Sequence, residues 1–417
     1  MEETKILIDS QPKYSVQAEF NRAQAVIMHE PSSELYYGVL HPHAALFDSY
    51  FNAAKAAKEH KQFQQLLKNR GIEVFTVKEA LLKNVVDELG EPIEGKELEE
   101  FRDFARSCVR LNTPSLTGLS YDEIVEQHIY LDKVFKKMHP VDLVRTILLQ
   151  PNLILKRTLT NTFVTADYNA NPVMNLYFSR DQIITTGKGV VLTNLNSPQR
   201  EIETRILCMC LKKIGIKPLL DLSKVNKSAH IEGGDFFMLN NIALIGEGMR
   251  SNRLAIEILM KADVIGTEQV ALIKDNYHYQ PQMHLDTYFN IIDKDLVAIS
   301  HNRYNAGPGT KQELLVDIYV KGAASYQLTE VSIPFKKYLE DYLKVEVIVI
   351  SDEDQKNYGL NFLCISPRNI IAVKGQSEDY KNKMALHNVA VEWVDFENLK
   401  QGWGAAHCTT QVINRKI

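Results

Sequence analysis

The chain has 417 residues, of which 45% are hydrophobic and 24% charged, a composition typical of a globular protein with a substantial core. A formal net charge of -4, without long lysine or arginine runs, argues against nucleic acid as a partner, because phosphate binding normally needs a basic stripe. The sequence has neither a recognisable secretory leader nor an apolar run of about 20 residues, so we expect no membrane attachment.

The chain has five cysteines, an odd and sparse set for its length. Such a set fits a reducing compartment better than a disulfide framework. We therefore expect free thiols and a soluble, cytoplasmic protein. A single cysteine is most often a small buried hydrophobe, and that interpretation is the default for all five. They are Cys108, Cys208, Cys210, Cys364 and Cys408.

A helix followed by a short Ile/Val-rich strand recurs about five times, the pattern of helices that cover a mixed sheet. Because the spacing of the copies is uneven, the repeat is structural rather than a sequence array. Five units predict an α/β fold that closes radially. The copies cover residues 50–75, 198–219, 252–273, 334–349 and 379–394.

A different segment separates the first two copies. It consists of Leu-, Glu- and Lys-rich helical pieces, with a capping pattern at Ser120 and Glu123. We interpret residues 78–153 as a helical insertion. The predicted catalytic α/β body therefore comprises residues 1–77 and 154–417.

The run Asn175–Asp181 is β-prone and ends in an acid before the apolar pair Ile183 and Ile184. An acid at the end of a strand usually begins a turn. The functional alternative is that the carboxylate of Asp181 lies at the rim of a pocket. The run therefore predicts a strand that ends in a candidate site residue.

The segment His230–Phe237 has a carboxylate on each side of a glycine pair, Glu232 before it and Asp235 after it. Paired glycines allow the backbone to approach a ligand or another strand closely. A turn with two solvated acids fits the local pattern equally well. Both interpretations stay open at this point.

From Met283 to Ile292, apolar and polar residues alternate strictly, which predicts a strand with two different faces. His284 and Asp286 would lie side by side on the polar face, with Tyr288 and Asn290. Half-exposed antiparallel strands are common, so this face could simply meet solvent. The neighbouring segments favour a pocket instead.

Small residues precede a cysteine near the end of the chain, in the stretch Gly402–Val412. Glycines and alanines leave Cys408 without bulky neighbours, on a loop that can deliver its sulfur into a cavity. His407 is directly adjacent. These two features favour a reactive thiol at Cys408.

A thiol, an imidazole and several carboxylates make an unusual set, since nearby negative charges raise the pKa of a thiol. The set makes sense for a cationic substrate: carboxylates can clamp a planar guanidinium, whose charge helps the thiol to ionise. Zinc uses the same ligand types. However, no paired C-x-x-C or H-E-x-x-H motif occurs, and Cys208 and Cys210 face different sides of a helical pattern. Thiol catalysis without a metal is favoured.

Four motifs together resemble those of the arginine deiminases, members of the guanidine-modifying superfamily, over nearly the whole chain. The resemblance implies a five-bladed α/β propeller, the pentein fold, with a helical insertion. It also implies hydrolysis of free L-arginine to L-citrulline and ammonia, without a cofactor. The motifs are Asn-Leu-Tyr-Phe-Ser-Arg-Asp from Asn175, Ile-Glu-Gly-Gly-Asp from Ile231, His-Leu-Asp-Thr from His284 and Gly-Trp-Gly-Ala-Ala-His-Cys from Gly402.

The resemblance also implies a role for each catalytic residue. Cys408 is the nucleophile that would form an amidino-cysteine intermediate. His284 is the general acid and base, and Glu232 orients its imidazole. Asp181 and Asp286 hold the nitrogens of the guanidinium.

Further positions match the family's substrate pocket. Arg200 and Arg250 match arginines that bind the amino-acid end of the substrate, although ordinary surface charge is the alternative for both. The remaining pocket positions are Asn175, Phe178 and Asp235.

Two departures from the family pattern concern substrate selection. Gln182-Ile183-Ile184 stands where members commonly have a Pro-Phe-Ala type sequence, and Trp403 stands where some members have an arginine. Alternatives stay open: an agmatine or dimethylarginine hydrolase, an amidinotransferase, an arginine dihydrolase giving ornithine, or a guanidino-compound binding protein without catalysis. The expected partners are a small guanidino substrate and further copies of the same chain in a homo-oligomer.

Overall fold

The computed structural model describes residues 13–112, 118–159, 162–323 and 325–416. Helices and strands alternate along these residues, and the fold is α/β. The α-helices are α1 (Ser33–Leu40), α2 (Ala53–Asn69), α3 (Val77–Leu82), α4 (Lys96–Ser107), α5 (Tyr121–Lys137), α6 (Pro140–Leu149), α7 (Glu201–Ile214), α8 (Leu222–Val225), α9 (Arg253–Lys261), α10 (His301–Tyr304), α11 (Phe335–Lys337), α12 (Asp352–Lys356) and α13 (Glu378–Leu386).

The strands of the described residues form six sheets. Most are short, and several of them are buried at every position. The strands are β1 (Arg22–Met28), β2 (Glu73–Thr76), β3 (Arg110–Asn112), β4 (Pro151–Arg157), β5 (Val164–Ala170), β6 (Ile183–Thr186), β7 (Gly189–Leu192), β8 (Leu220–Asp221), β9 (Phe236–Leu239), β10 (Ile242–Glu247), β11 (Gln269–Asp275), β12 (Phe289–Asp293), β13 (Leu296–Ser300), β14 (Leu314–Lys321), β15 (Tyr326–Pro334), β16 (Glu346–Ile350), β17 (Leu363–Ser366), β18 (Asn369–Val373), β19 (Ala390–Val394) and β20 (Gln411–Lys416).

Five of the sheets repeat one topology. In each, a central strand pairs parallel with a strand that comes later in the chain and antiparallel with its other neighbour. In four of these sheets only helical segments connect the two parallel strands, whereas β14 and β15 also lie between β13 and β16. The first of these sheets pairs β1, the first strand of the described residues, with β20, the last. The strand triplets are β20-β1-β2, β6-β7-β8, β9-β10-β11, β12-β13-β16 and β17-β18-β19, of which the third is extended by β14 and β15.

The connecting helices follow from amphipathic patterns and polar caps. In α2, Ala56, Phe63 and Leu67 are buried on one face, and the side chain of Asn52 caps the first turn by accepting from the backbone N–H of Lys55. In the second predicted unit, residues 198–219, the strand that follows the helix begins only after the end of that range, at β8. Gly215 ends α7 in the left-handed conformation, and residues 216–219 connect the end of the helix to β8.

The segment between the first two repeated sheets contains α3, α4, α5 and α6, together with a small sheet of β3, β4 and β5. This sheet was not predicted. Its edge strand β5 is largely exposed and polar, so it carries no hydrophobic pattern. Buried side chains of α4 and α6 pack in one cluster with α7, among them Phe101, Ile147 and Leu207.

Residues Asn175–Asp181 form consecutive turns, so the strand predicted there is wrong. The backbone N–H of Phe178 donates to the carbonyl of Asn175 over 3.0 Å, and that of Asp181 donates to Phe178 over 3.3 Å. Leu176 and Tyr177 are also buried, without alternation. Packing on all sides of the turns has overridden the β propensity of these residues.

The strand predicted from Met283 to Ile292 is wrong in its first half. Residues Leu285–Thr287 form a 3-10 turn, and β12 begins only at Phe289. The Thr287 hydroxyl closes the turn by donating to the carbonyl of His284 over 2.6 Å. Polar and apolar residues are both buried here because the polar ones have distant partners, so the alternation did not report a solvent-facing side.

Two expectations from composition can be compared with the structure. All five cysteines are free thiols, and Cys208 is the only one among them that is not buried. Across the described ranges, no helix has both the length and the apolar character needed to cross a bilayer.

Candidate active site

A close backbone crossing brings Glu232 to His284. A Cβ atom on Gly233 would lie 2.0 Å from the carbonyl oxygen of Arg180, and one on Gly234 would lie 2.8 Å from Nδ1 of His284. Only glycine fits at these two positions. The turn therefore places Oε2 of Glu232 2.8 Å from Nε2 of His284, as an orienting partner requires.

Negative charge surrounds the imidazole of His284. Burial opposes its protonation, but the carboxylates of Asp181, Glu232 and Asp235 outweigh this effect and raise the pKa of His284 to about 10. Burial likewise opposes the charge of Glu232, yet its hydrogen bond with His284 lowers the pKa of Glu232. The pair is therefore an imidazolium and a carboxylate at neutral pH, and His284 is ready to donate a proton.

Asp235 fixes the turn that carries His284. Its Oδ1 accepts from the backbone N–H of Leu285 over 2.9 Å, and its Oδ2 accepts from the hydroxyl of Ser251 over 2.6 Å. Burial raises the pKa of Asp235 to about 7. Asp235 thus links the His284 turn to Ser251.

The sulfur of Cys408 lies among polar side chains in a buried position. Its thiol donates to Oδ2 of Asp286 over 3.3 Å, and Nδ2 of Asn361 donates to the sulfur over 3.1 Å. Burial and the negative charges of Asp286 and Asp181 raise the pKa of the Cys408 thiol well above its usual range. Without a nearby cation, the thiol of Cys408 is therefore protonated at neutral pH.

Asp181 and Asp286 each keep one buried carboxylate oxygen without a hydrogen-bond partner among the described residues, the Oδ1 atom in both cases. Their Oδ2 atoms are occupied: Asp181 accepts from Nη1 of Arg200 over 2.8 Å, and Asp286 accepts from Nδ1 of His407 over 2.7 Å. Buried acceptors are rarely left unpaired. Two such oxygens near one thiol fit a ligand with several N–H donors and a positive charge.

Both predicted binding arginines are buried, so the surface alternative is wrong for Arg200 and for Arg250. Arg200 donates to Asp181 and to Glu203, and its Nη1 lies 3.8 Å from the Glu232 carboxylate. Arg250 is only 8% exposed and its Nε has no partner among the described residues. Its positive charge nevertheless contributes to lowering the pKa of Glu232, so the guanidinium of Arg250 acts on that carboxylate.

Comparison with known proteins decides the family. The model of the arginine deiminase family matches residues 43–415. The chain belongs to the arginine deiminase family. The resemblance predicted from the four motifs is thereby confirmed, as is an enzyme that hydrolyses C–N bonds.

Other members of the family align with nearly the full chain. An arginine deiminase of Halobacterium salinarum is 24% identical, with 98% of each chain covered. One of Lactococcus lactis subsp. lactis is 25% identical, with 96% of this chain and 98% of that protein covered. Sequence identity is low, whereas the coverage extends over whole proteins.

Solved structures of related enzymes share the α/β pentein fold. SxtG, an amidinotransferase from Microseira wollei, superposes with a TM-score of 0.54 at 14% identity, covering 97% of this chain and 98% of that one. DDAH from Pseudomonas aeruginosa, a mutant complexed with citrulline, superposes with a TM-score of 0.52 at 12% identity, covering 93% and 98%.

Close packing explains why a glycine, Gly404, stands shortly before Cys408 in the family motif. A Cβ atom on Gly404 would lie 2.5 Å from the ring of Phe178 and 2.8 Å from Cβ of Cys408. Asn175 anchors the same turn region, because its side chain donates to the carbonyl of Ala45 over 2.8 Å. Phe178 therefore packs against the segment that carries Cys408, and Asn175 holds the turn before it.

Trp403, which departs from the family pattern, faces an open cavity of about 530 Å³. Its backbone is in the left-handed region with φ of 73°. Tyr358 and Lys400 also line this cavity. Burial raises the pKa of Tyr358, and Asp48 and Cys408 contribute to that rise.

Three residues of the site escaped the sequence analysis. Glu203 accepts from Gln182 and Arg200, and both contacts are buried. Asn361 lies between Leu360 and Phe362, and a polar residue inside such an apolar run was a usable signal. Glu19 had no local signal, since its partners are 161 to 396 residues away along the chain.

Asp181, Glu232 and His284 offer ligand atoms within 4.8 Å of one another, a donor set that suits a divalent cation. Arg200 already places a guanidinium against the same two carboxylates. The negative charge of the cluster is therefore balanced by a side chain, which fits the preference for thiol over metal catalysis.

Proposed function

We propose that this member of the family is an arginine deiminase that hydrolyses free L-arginine to L-citrulline and ammonia through an amidino-cysteine intermediate. One observation carries the proposal: among the residues that the structure describes, the buried Oδ1 atoms of Asp181 and Asp286 have no hydrogen-bond partner, and both carboxylates act on the thiol of Cys408. A guanidinium supplies N–H donors for both oxygens and the positive charge that the thiol needs.

The first half of the reaction forms the covalent intermediate. When the cation binds between Asp181 and Asp286, the thiol pKa falls and Cys408 releases its proton to solvent. The thiolate adds to the guanidinium carbon, which gives a neutral tetrahedral adduct. The imidazolium of His284 protonates one amino nitrogen, the C–N bond breaks, and ammonia leaves a cationic amidino-cysteine.

The second half releases the product. His284, now neutral, takes a proton from water while the oxygen adds to the amidino carbon. The C–S bond breaks as the carbonyl of citrulline forms, and the hydroxyl proton returns the sulfur to its thiol form. Glu232 keeps the imidazole in one orientation through both steps. The net reaction consumes one water and needs no cofactor.

The proposed substrate carries a carboxylate because Arg250 is buried beside Glu232 without a hydrogen-bond partner at Nε among the described residues. Leaving such a group unpaired is costly, and the α-carboxylate of arginine can satisfy it. We propose the same role for Arg200 when the ligand is bound. Agmatine, which lacks the carboxylate, is correspondingly disfavoured.

Product analysis tests this function. Purified protein is incubated separately with L-arginine, agmatine and dimethylarginine, and ammonia and the carbon product are measured. Citrulline from arginine alone supports the proposal. Ornithine would indicate an arginine dihydrolase, and binding without ammonia release would indicate a guanidino-compound binding protein.

We further propose that the five repeated sheets close into a five-bladed propeller, with residues 78–153 as a helical insertion. Support comes from the shared topology of the sheets.

We also propose a cytoplasmic homo-oligomer. The free cysteines support the cytoplasmic location, and exposed apolar residues on α5, including Tyr121 and Ile129, support the oligomer. Light scattering of the purified protein measures the oligomeric state.

A further inference from the structure

The imidazole of His407 lies between two carboxylates. Its Nδ1 is 2.7 Å from Oδ2 of Asp286, and its Nε2 is 3.2 Å from Oε1 of Glu19. The ring is fully buried and stacks on Phe237 with ring centroids 5.2 Å apart. Every polar atom of this side chain therefore faces a carboxylate oxygen, and none faces solvent.

This geometry requires two ring protons. A neutral imidazole has one N–H donor and one lone pair, so it can satisfy only one of two ionised carboxylates. Burial opposes the charge of both acids, but Arg415 and Arg180 lower the pKa of Glu19, and His407, His284 and Arg180 lower that of Asp286. With both acids ionised, the ring keeps both hydrogen bonds only if Nδ1 and Nε2 each carry a proton.

We propose that His407 and Glu19 are positioning residues of the active site: an imidazolium, held by Glu19, fixes Asp286 for the guanidinium and offsets its charge beside Cys408. The inference rests on the proposed function for the identity of the bound cation. Neither His407 nor Glu19 touches the substrate in this proposal, and both act through Asp286.

The position of Asp286 follows from this contact. His407 binds Oδ2, the oxygen that also accepts from the thiol, and Oδ1 has no partner within the described part of the chain. The carboxylate cannot rotate without breaking the bond to the ring. The free oxygen is therefore presented in one orientation, which an unanchored carboxylate would not maintain.

The anchor on the other side is rigid. Oε1 of Glu19 accepts from Nη2 of Arg180 and from Nη2 of Arg415, each over 3.0 Å. Arg180 directly precedes Asp181, and Arg415 lies in β20. Glu19 thus ties the turn of one guanidinium-binding acid to the C-terminal strand and, through His407, to the other acid.

Hydrogen bonds to Asn361 fix the position of the His407 ring relative to the sulfur of Cys408. The N–H of His407 donates to the carbonyl of Asn361 over 3.1 Å, and Oδ1 of Asn361 accepts from the N–H of Cys408 over 3.2 Å. Nδ2 of Asn361 donates to the carbonyl of Asp286 over 3.1 Å. A substitution at His407 is therefore expected to alter the positions of Asp286 and Cys408.

Thiol alkylation as a function of pH tests the charge. The groups whose charges act on Cys408 are Asp286 and Asp181, and its tyrosine neighbours are Tyr177 and Tyr358. His407→Gln keeps an N–H donor but removes the positive charge, so the thiol pKa should rise. We expect the alkylation midpoint to move up by about one pH unit, and the rate below the midpoint to fall about 10-fold.

The matched control is Glu34→Gln, which disrupts another buried Glu–His contact, the 2.9 Å pair of Glu34 and His29. Its alkylation profile should equal that of the unaltered protein. An unchanged midpoint in His407→Gln would overturn the proposal. Because alkylation needs no turnover, this outcome is independent of whether arginine is hydrolysed.

Neutron diffraction of the unaltered protein at pH 8 provides a second readout, which stands even if the variant does not fold. We expect deuterium on both ring nitrogens of His407. A ring with a single deuterium, on either nitrogen, would contradict the imidazolium and overturn the proposal.

Discussion

The sulfur of Cys408 lies 3.3 Å from Oδ2 of Asp286, so the nucleophile of the proposed reaction is hydrogen-bonded to one of the acids that would hold the substrate. Burial and this carboxylate raise the pKa of the thiol, so Cys408 is protonated when the site contains no cation. It also means that substrate binding and thiol ionisation are coupled, since the same carboxylate takes part in both.

Replacement of Asp286 separates these two effects. In Asp286→Asn the negative charge next to Cys408 is gone, so the thiol pKa falls and alkylation at pH 7 becomes faster, by about 10-fold for one pH unit. Hydrolysis of arginine should nevertheless fall by more than about 100-fold, because one guanidinium contact is lost. Slower alkylation in this variant would refute the coupling.

Loss of the nucleophile should abolish turnover without abolishing binding. Cys408→Ala is expected to lower kcat by at least about 1,000-fold, since no covalent intermediate can form. Calorimetry should still detect arginine binding, because the carboxylates are retained. Cys208→Ala, a change at a half-buried thiol of α7, is the control and should keep full activity.

The Glu232–His284 pair predicts an alkaline limit for the reaction. The general acid works while His284 is protonated, and its raised pKa of about 10 keeps it so at neutral pH. Glu232→Gln removes one of the charges that raise this pKa, so the alkaline limb of kcat should move down by about one pH unit or more. Profiles of kcat against pH measure the shift, and coincident limbs would exclude this role.

The same raised pKa affects stability. A histidine whose pKa is higher in the folded state stabilises the protein below pH 6.5, its ordinary value, and loses that contribution as pH rises through about 10. The free energy of unfolding should therefore decline over this interval. In His284→Gln the decline should be smaller, as urea titrations at several pH values can measure.

Arg250 should select for the carboxylate of the substrate. Arg250→Gln is expected to raise KM for L-arginine by about 10- to 100-fold, the loss of one charge-assisted contact, with little effect on agmatine. Arg253→Gln is a suitable control, because Arg253 is already paired with Glu247 and Asp317. Equal losses for both substrates would show that Arg250 does not contact a carboxylate.

The close crossing at Gly233 predicts a strong effect of a single methyl group. Gly233→Ala would place Cβ 2.0 Å from the backbone carbonyl of Arg180, which cannot move independently of the turn. We expect destabilisation of about 1–3 kcal/mol or more. Gly307→Ala, whose Cβ would meet only an ordinary contact at 3.7 Å, should change stability by less than about 0.5 kcal/mol. Denaturant midpoints compare the two.

Some predictions failed where local pattern and tertiary contacts conflicted. The alternation from Met283 to Ile292 and the β-prone run before Asp181 both predicted strands, but the run is a series of turns and the alternating segment is a strand only from Phe289 onward. In each, polar side chains are buried against partners far away in sequence, so burial did not follow the period of a strand. Glu19 was missed for the same reason, since its three contacts come from Arg180, His407 and Arg415.

The amino-acid sequence by itself determined the repeated helix–strand units and the residue types of the reaction, because hydrophobic periodicity and short motifs are local properties. It also contained the small residues at Gly233, Gly234 and Gly404 that permit close packing. Only the tertiary structure decided which carboxylate oxygens stay unpaired, which arginines are buried, and that His407 bridges Asp286 and Glu19. Hydrogen bonding and burial depend on distances between remote segments, and no local pattern specifies those distances.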